Sequence, residues 1–120
     1  MFQAEAIKTK NLLSVRYSGR VGPEETGRYK QELPALLGEL KPGFRLLTDM
    51  TSLEEMSLAC EPHLKGMMDL CNKKGVDLVV RVIPDTHKDI GLNIMSLFHY
   101  RRRVRIVTCA SVDEAMKLLG

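Results

Sequence analysis

In the stretch TDMTSLEEMSLA, residues 48–59, hydroxyls and carboxylates are crowded closely enough to do chemistry. Thr51, Ser52 and Ser57 each carry a hydroxyl that could accept a phosphoryl group, and Asp49 stands just before them. A phosphate at a helix N-terminus would be held by free backbone N–H groups and by the positive end of the helix dipole. The bland alternative has Ser57 capping a helix and Thr51–Ser52 forming a turn, roles these residue types commonly fill. Glu54 and Glu55 favour that alternative, because a doubly charged phosphate beside them is repelled.

Two further groupings invite a chemical reading. Cys60 and His63 lie three residues apart at the start of a helical pattern, a spacing that a thiolate–imidazole pair can use. No orienting group or oxyanion hole accompanies them, and burial is the commoner role for cysteine; Cys60 and Cys71 extend an apolar stripe through Leu64 and Met67. In HYRRRVR, residues 99–105, Arg101, Arg102 and Arg103 form a candidate anion-binding cluster. The competing reading is a solvated turn at a helix C-terminus, leading into an edge strand whose outward Arg103 and Arg105 alternate with inward Val104 and Ile106. Asp49, Asp85 and Asp89 make no metal pattern, and His63, His87 and His99 are isolated, so neither metal nor cofactor is expected.

These groups need a scaffold, and the composition bounds it. The chain has 120 residues, 44% apolar and 28% charged, which fits one globular domain over 1–120. Aromatics are scarce and methionine frequent, so an aliphatic core with methionine filling its gaps is expected. A net charge of +3 is too small to imply nucleic acid. Three widely spaced cysteines suggest neither a disulfide framework nor structural zinc. With no secretory pattern at residues 1–10 and no apolar run of membrane-spanning length, a cytoplasmic setting is expected.

Periodicity then supplies the elements. Residues 2–19 alternate loosely on both sides of Lys10-Asn11, which predicts a hairpin of two strands. Pro23, Glu24 and Glu25 open a helix whose buried face is Tyr29, Leu33, Leu36, Leu37 and Leu40; Pro34 should kink it. FRLLTDM, residues 44–50, predicts a short buried strand. A helix with the stripe Leu64, Met67, Met68 and Cys71 follows and stops at Gly75. VDLVVRVIP, residues 76–84, predicts a central strand covered on both faces. Ile90, Ile94, Leu97 and Phe98 mark another helix, with Thr86 and Asp89 as its capping box. VRIVTC predicts a last strand, and Ser111 with Glu114 caps a last helix whose inward face is Ala115, Met116 and Leu119. The order ββαβαβαβα implies right-handed crossovers and a largely parallel α/β sheet of about five strands with about four helices.

This order resembles that of the STAS domain, the fold of bacterial anti-sigma-factor antagonists and of sulfate-transporter tails. YSGRVGPEETGRYKQELPALL is similar to the family's strand, turn and first helix, and LLTDMTSL to its strand ending in an acidic and a hydroxyl residue. GVDLVVRVIP and VTCASVDEAMKLL are similar to its later strands and closing helix. The resemblance implies a STAS-like (SpoIIAA-like) fold and a non-catalytic regulatory module. Such a module docks a partner protein, of the kinase-type anti-sigma-factor kind, through the loop after the third strand and the second helix. Asp49, Thr51, Ser52 and Ser57 are the site residues on this reading. The family's phosphoacceptor motif, Asp, one or two hydroxyl residues, then Gly, would fall on Ser57-Leu58-Ala59-Cys60, and no Asp-Ser-Ser-Gly-like string is present. The rival reading is a binder of small anionic ligands, or a vestigial enzyme, with a pocket near Cys60 and His63. No nucleic-acid or membrane partner is expected, and a homodimer is compatible with the sequence.

Overall fold

A computed structural model describes residues 1–83 and 104–120. Five strands form one sheet in the order β1-β2-β3-β4-β5: Phe2–Ile7, Leu12–Val21, Arg45–Met56, Leu78–Val82 and Arg105–Cys109. β1 runs antiparallel to β2, and every later neighbour is parallel. Three α-helices accompany them among the described residues: α1 (Pro23–Gly38), α2 (Glu61–Lys74) and α3 (Val112–Leu119).

The hairpin turns where the Lys-Asn pair predicts it. Asn11 adopts the left-handed conformation, at φ 48°, that asparagine tolerates better than most residues. Pro23 opens α1, which runs on through an exposed Pro34 to Gly38. α2 closes as its sequence predicts: Gly75, at φ 98°, returns its N–H to Cys71 and Asn72, a conformation favouring a residue without Cβ.

The parallel crossovers place α1 and α2 on one face of the sheet. Tyr29, Leu33 and Leu37 from α1 and Leu64, Met67, Met68 and Cys71 from α2 meet Leu13, Val15, Leu46 and Val79 there. On the other face Ala115 and Leu119 of α3 cover Leu12, Leu47, Val80 and Val82. Each fully buried aliphatic side chain stabilises the fold by about 1.5–3 kcal/mol relative to exposure. β4 therefore feeds both cores, as its near-continuous apolar run predicts.

Two inward assignments fail. Met116 is 36% exposed, because it lies about 100° around α3 from Ala115 and off the Ala115–Leu119 stripe. Ile106 is 39% exposed despite its inward parity on edge strand β5. The Ser111 cap is as expected: its Oγ accepts from Glu114 N at 3.2 Å, while the Glu114 carboxylate accepts from Ala110 N at 3.1 Å. The helix expected over 90–98, its Thr86–Asp89 cap, Asp85, His87, His99 and Arg101–Arg103 lie outside the described residues. No described helix is long and apolar enough to cross a membrane.

Candidate functional site

The candidate site starts from an irregularity in β3. The parallel ladder pairs Arg16 with Asp49 and Arg20 with Glu55, so four steps along β2 match six along β3. Two bulges take up the excess residues, one between the partners of Arg16 and Ser18 and one between those of Gly19 and Arg20. On β2 the inward side chains Tyr17 and Val21 flank Gly19 at the usual spacing of two. Opposite them on β3, Met50, Leu53 and Met56 are buried at a spacing of three.

This arrangement corrects the expected strand end. β3 continues to Met56 rather than stopping at Met50, so Thr51 and Ser52 belong to a strand and form no turn. The cause is β2, which extends to Val21 and offers a backbone ladder for residues 51–56 to pair with. The loop after the third strand is consequently Ser57–Cys60, a single 3₁₀ turn over Leu58–Cys60 leading into α2.

Asp49, Thr51 and Ser52 come together with Arg16, which the sequence reading did not single out. Asp49 Oδ1 accepts from Thr51 N at 3.0 Å and from Thr51 Oγ1 at 2.7 Å. Arg16 Nε stands 3.9 Å from Asp49 Oδ2, and Arg16 Nη2 donates to Ser52 Oγ at 3.3 Å. The first bulge is what lets one guanidinium reach both residues, since it brings Ser52 opposite Ser18 directly above the Arg16–Asp49 pair. Period-two alternation of Ser14, Arg16, Ser18 and Arg20 was the signal that could have marked this polar row. Farther along, Arg20 and Glu55 pair at 3.6 Å, both exposed, an arrangement of small energetic value.

Ser57 lies apart from that group, at the tip of the ladder. Its N–H reaches Val21 O at 3.1 Å, and its Oγ accepts from Ala59 N at 3.2 Å as the cap of the 3₁₀ turn. Ser57, Leu58 and Ala59 are all exposed, with Leu58 63% accessible, which makes this tip a partly apolar projection beyond the end of β3, where Glu54 and Glu55 are exposed as well.

Cys60 and His63 do not assemble. Cys60 is 0% exposed, with Sγ 3.7 Å from Val21 O. His63 lies instead along α1, its ring so close to Gly27 that an added Cβ would sit 3.3 Å away. The surface hollow beside it is lined by Pro23, Glu24, Gly27, Arg28 and Lys30, without any cysteine. Cys71 is buried as its stripe predicts, and that burial pushes its thiol up to about 12. Cys109 is shifted upward too, first by burial and then by Glu114. Among the described residues no cluster of His, Cys, Asp or Glu could hold a metal ion.

One buried charge also escaped the sequence reading. Arg81, 5% exposed, aligns with Thr48 on β3 and Thr108 on β5, a polar row crossing three strands. In the sequence it is a single interruption of VDLVVRVIP, and only the register reveals the row.

Comparison with solved structures identifies the fold. SpoIIAA, the anti-sigma factor antagonist, in its unphosphorylated form superposes with a TM-score of 0.69 over 99% of this chain and 97% of that one, at 13% identity. The fold is SpoIIAA-like. A DUF3478-family protein of Shewanella loihica with the same fold gives 0.65 at 16% identity, covering 100% of this chain and 93% of its own. An anti-sigma factor antagonist of Mycobacterium paratuberculosis gives 0.58 at 15% identity, covering 99% and 94%. Comparison of the sequence with protein-family profiles and with curated proteins finds no match. The SpoIIAA-like fold puts the Ser57–Ala59 tip at the C-terminal ends of β2 and β3, where loops stand on a rigid base.

Proposed function

We propose that this protein is a non-catalytic regulatory module that docks a partner protein through the Ser57–Cys60 turn and the start of α2. The observation that carries the reading is the exposed tip with Leu58 at its centre, on a SpoIIAA-like sheet. Leu58 is the apolar anchor, and the exposed Ser57 beside it, with Glu54 and Glu55 on the strand end that leads to it, supply polar groups for the partner. Asp49, Thr51 and Arg16 set the conformation of that strand. Structural neighbours include anti-sigma factor antagonists, and SpoIIAA is among them in a phosphorylated form as well, which supports a kinase-type regulator as the partner. Ser57 and Ser52 are the exposed hydroxyls on which such a kinase would act, whereas Thr51 already donates its hydroxyl to Asp49.

The test is site-specific photocrosslinking in cells, with a benzophenone amino acid at position 58 and, as a control, at position 117 on α3. The expected result is one discrete adduct from position 58 that is absent from position 117 and lost in Ser57→Asp. Equal labelling from the two positions sinks the docking surface. Intact mass of the wild type, Ser52→Ala and Ser57→Ala after incubation with the captured partner and ATP then decides whether Ser52 or Ser57 is phosphorylated.

A further inference from the structure

The outer edge of β1 takes no part in the proposed docking tip, and its hydrogen-bonding pattern can be read residue by residue. Met1 and Ser18 exchange both backbone hydrogen bonds. Antiparallel pairs alternate between bonded and non-bonded residues, so Phe2↔Tyr17, Ala4↔Val15 and Ala6↔Leu13 are the non-bonded ones. Phe2, Ala4 and Ala6 therefore turn their N–H and C=O groups away from β2. β1 is an outer strand, and among the described residues no strand pairs with that side. Edges are commonly blunted by charges, a proline or a bulge. β1 has no proline, pairs with β2 in unbroken register, and carries one charge, Glu5.

We propose that a second copy of this chain adds to this edge, β1 antiparallel to β1, about a twofold axis at Ala4. In that register Ala4 faces its own copy, Phe2 faces Ala6, and Gln3 faces Glu5 on the exposed side of the sheet. Each Gln3 amide then donates to the other copy's Glu5 carboxylate, twice by symmetry. Moving the axis to Glu5 also satisfies the backbone but sets two carboxylates directly opposite each other, which is destabilising. Self-complementarity of Gln3 with Glu5 thus selects both the occupant and the register. The edge is short, so the interface is below about 1,000 Å² and the dimer is weak. This inference does not depend on the docking tip.

Two measurements test it. Bonded antiparallel partners have Cα atoms about 5.5 Å apart, inside the disulfide range of about 4.4–6.8 Å. Mild oxidation should therefore join Ala4→Cys into a covalent dimer. Glu5→Cys should stay monomeric, since its two copies are offset by about 6.6 Å along the strands. The three native thiols are buried and do not interfere. Sedimentation equilibrium up to about 1 mM then reads the charge pattern. Gln3→Lys should tighten association roughly fivefold and Gln3→Glu weaken it roughly fivefold. A wild-type chain that is monomeric throughout, equal crosslinking at positions 4 and 5, or Gln3 variants that move together overturns the proposal.

Discussion

Where β2 to β5 begin, polar groups tie together segments from the whole chain; where β2 and β3 finish, polar side chains join these two strands to each other, and Ser18 Oγ donates to Met1 O at 3.4 Å. At the first end Arg45 donates to Leu119 O at 2.6 Å and to Lys10 O at 2.9 Å, fastening α3 and the hairpin turn to the sheet. Asn11 exchanges two bonds with the backbone of Lys41, and Gly43 N reaches Gly75 O at 2.7 Å. Asp77 takes Arg105 at 3.4 Å. The opposite end has the Arg16–Asp49–Ser52 group, the exposed Arg20–Glu55 pair and a tip held by one serine cap. One end is built to hold and the other to present, a division that puts recognition on the less constrained part of a rigid fold.

Removing the clamp at the first end should have the largest effect at neutral pH. Arg45→Ala loses two charge-assisted bonds to carbonyls and is expected to cost about 2–3 kcal/mol in urea unfolding. A loss no larger than that of a variant at the presenting end would break the comparison.

Cys71, near the C-terminal end of α2, offers a pH-dependent test of the same end. Its folded thiol lies at about 12 against an ordinary 9.0, so the unfolded chain gives up its proton first. Stability from the neutral thiol is complete below pH 9.0 and is lost as pH rises toward 12. Between those limits the wild type should lose about 1.4 kcal/mol per pH unit more than Cys71→Val, as followed by thermal unfolding. Parallel curves would mean that the thiol is not shielded.

At the presenting end the expected effect is smallest. Arg16 is mostly exposed, and its contacts at 3.3 and 3.9 Å are long, so Arg16→Ala should shift unfolding by less than about 0.5 kcal/mol. Its consequence should show instead in altered amide exchange at Thr51 and Ser52. A large loss of global stability would place this group among the fastenings and sharpen the boundary differently.

Much of this was legible in advance, and the reasons are local. Asn11 at the hairpin turn, Pro23 at the start of α1, Gly75 at the end of α2 and the Ser111–Glu114 cap each follow from what one residue type permits in its own backbone. The stripe from Leu64 to Cys71 and the run from Leu78 to Val82 carry periods that need no partner to be recognised. The candidate site was half legible: its residue types were visible, its geometry was not. Met50, Leu53 and Met56, three apart, imitate a helix in the sequence, yet they come from two bulges in a strand.

Among the described residues, element types and their order, and with them the α/β class, were determined by the sequence itself, through periodicity and capping. Pairing across strands decided the rest: that Thr51 and Ser52 lie in β3, that Arg16 reaches both Asp49 and Ser52, that Arg81 shares a row with Thr48 and Thr108, and that Cys60 faces inward while Leu58 stands out. A bulge is a mismatch between two strands, so neither strand alone fixes where it falls, and every side chain beyond it takes its direction from that mismatch.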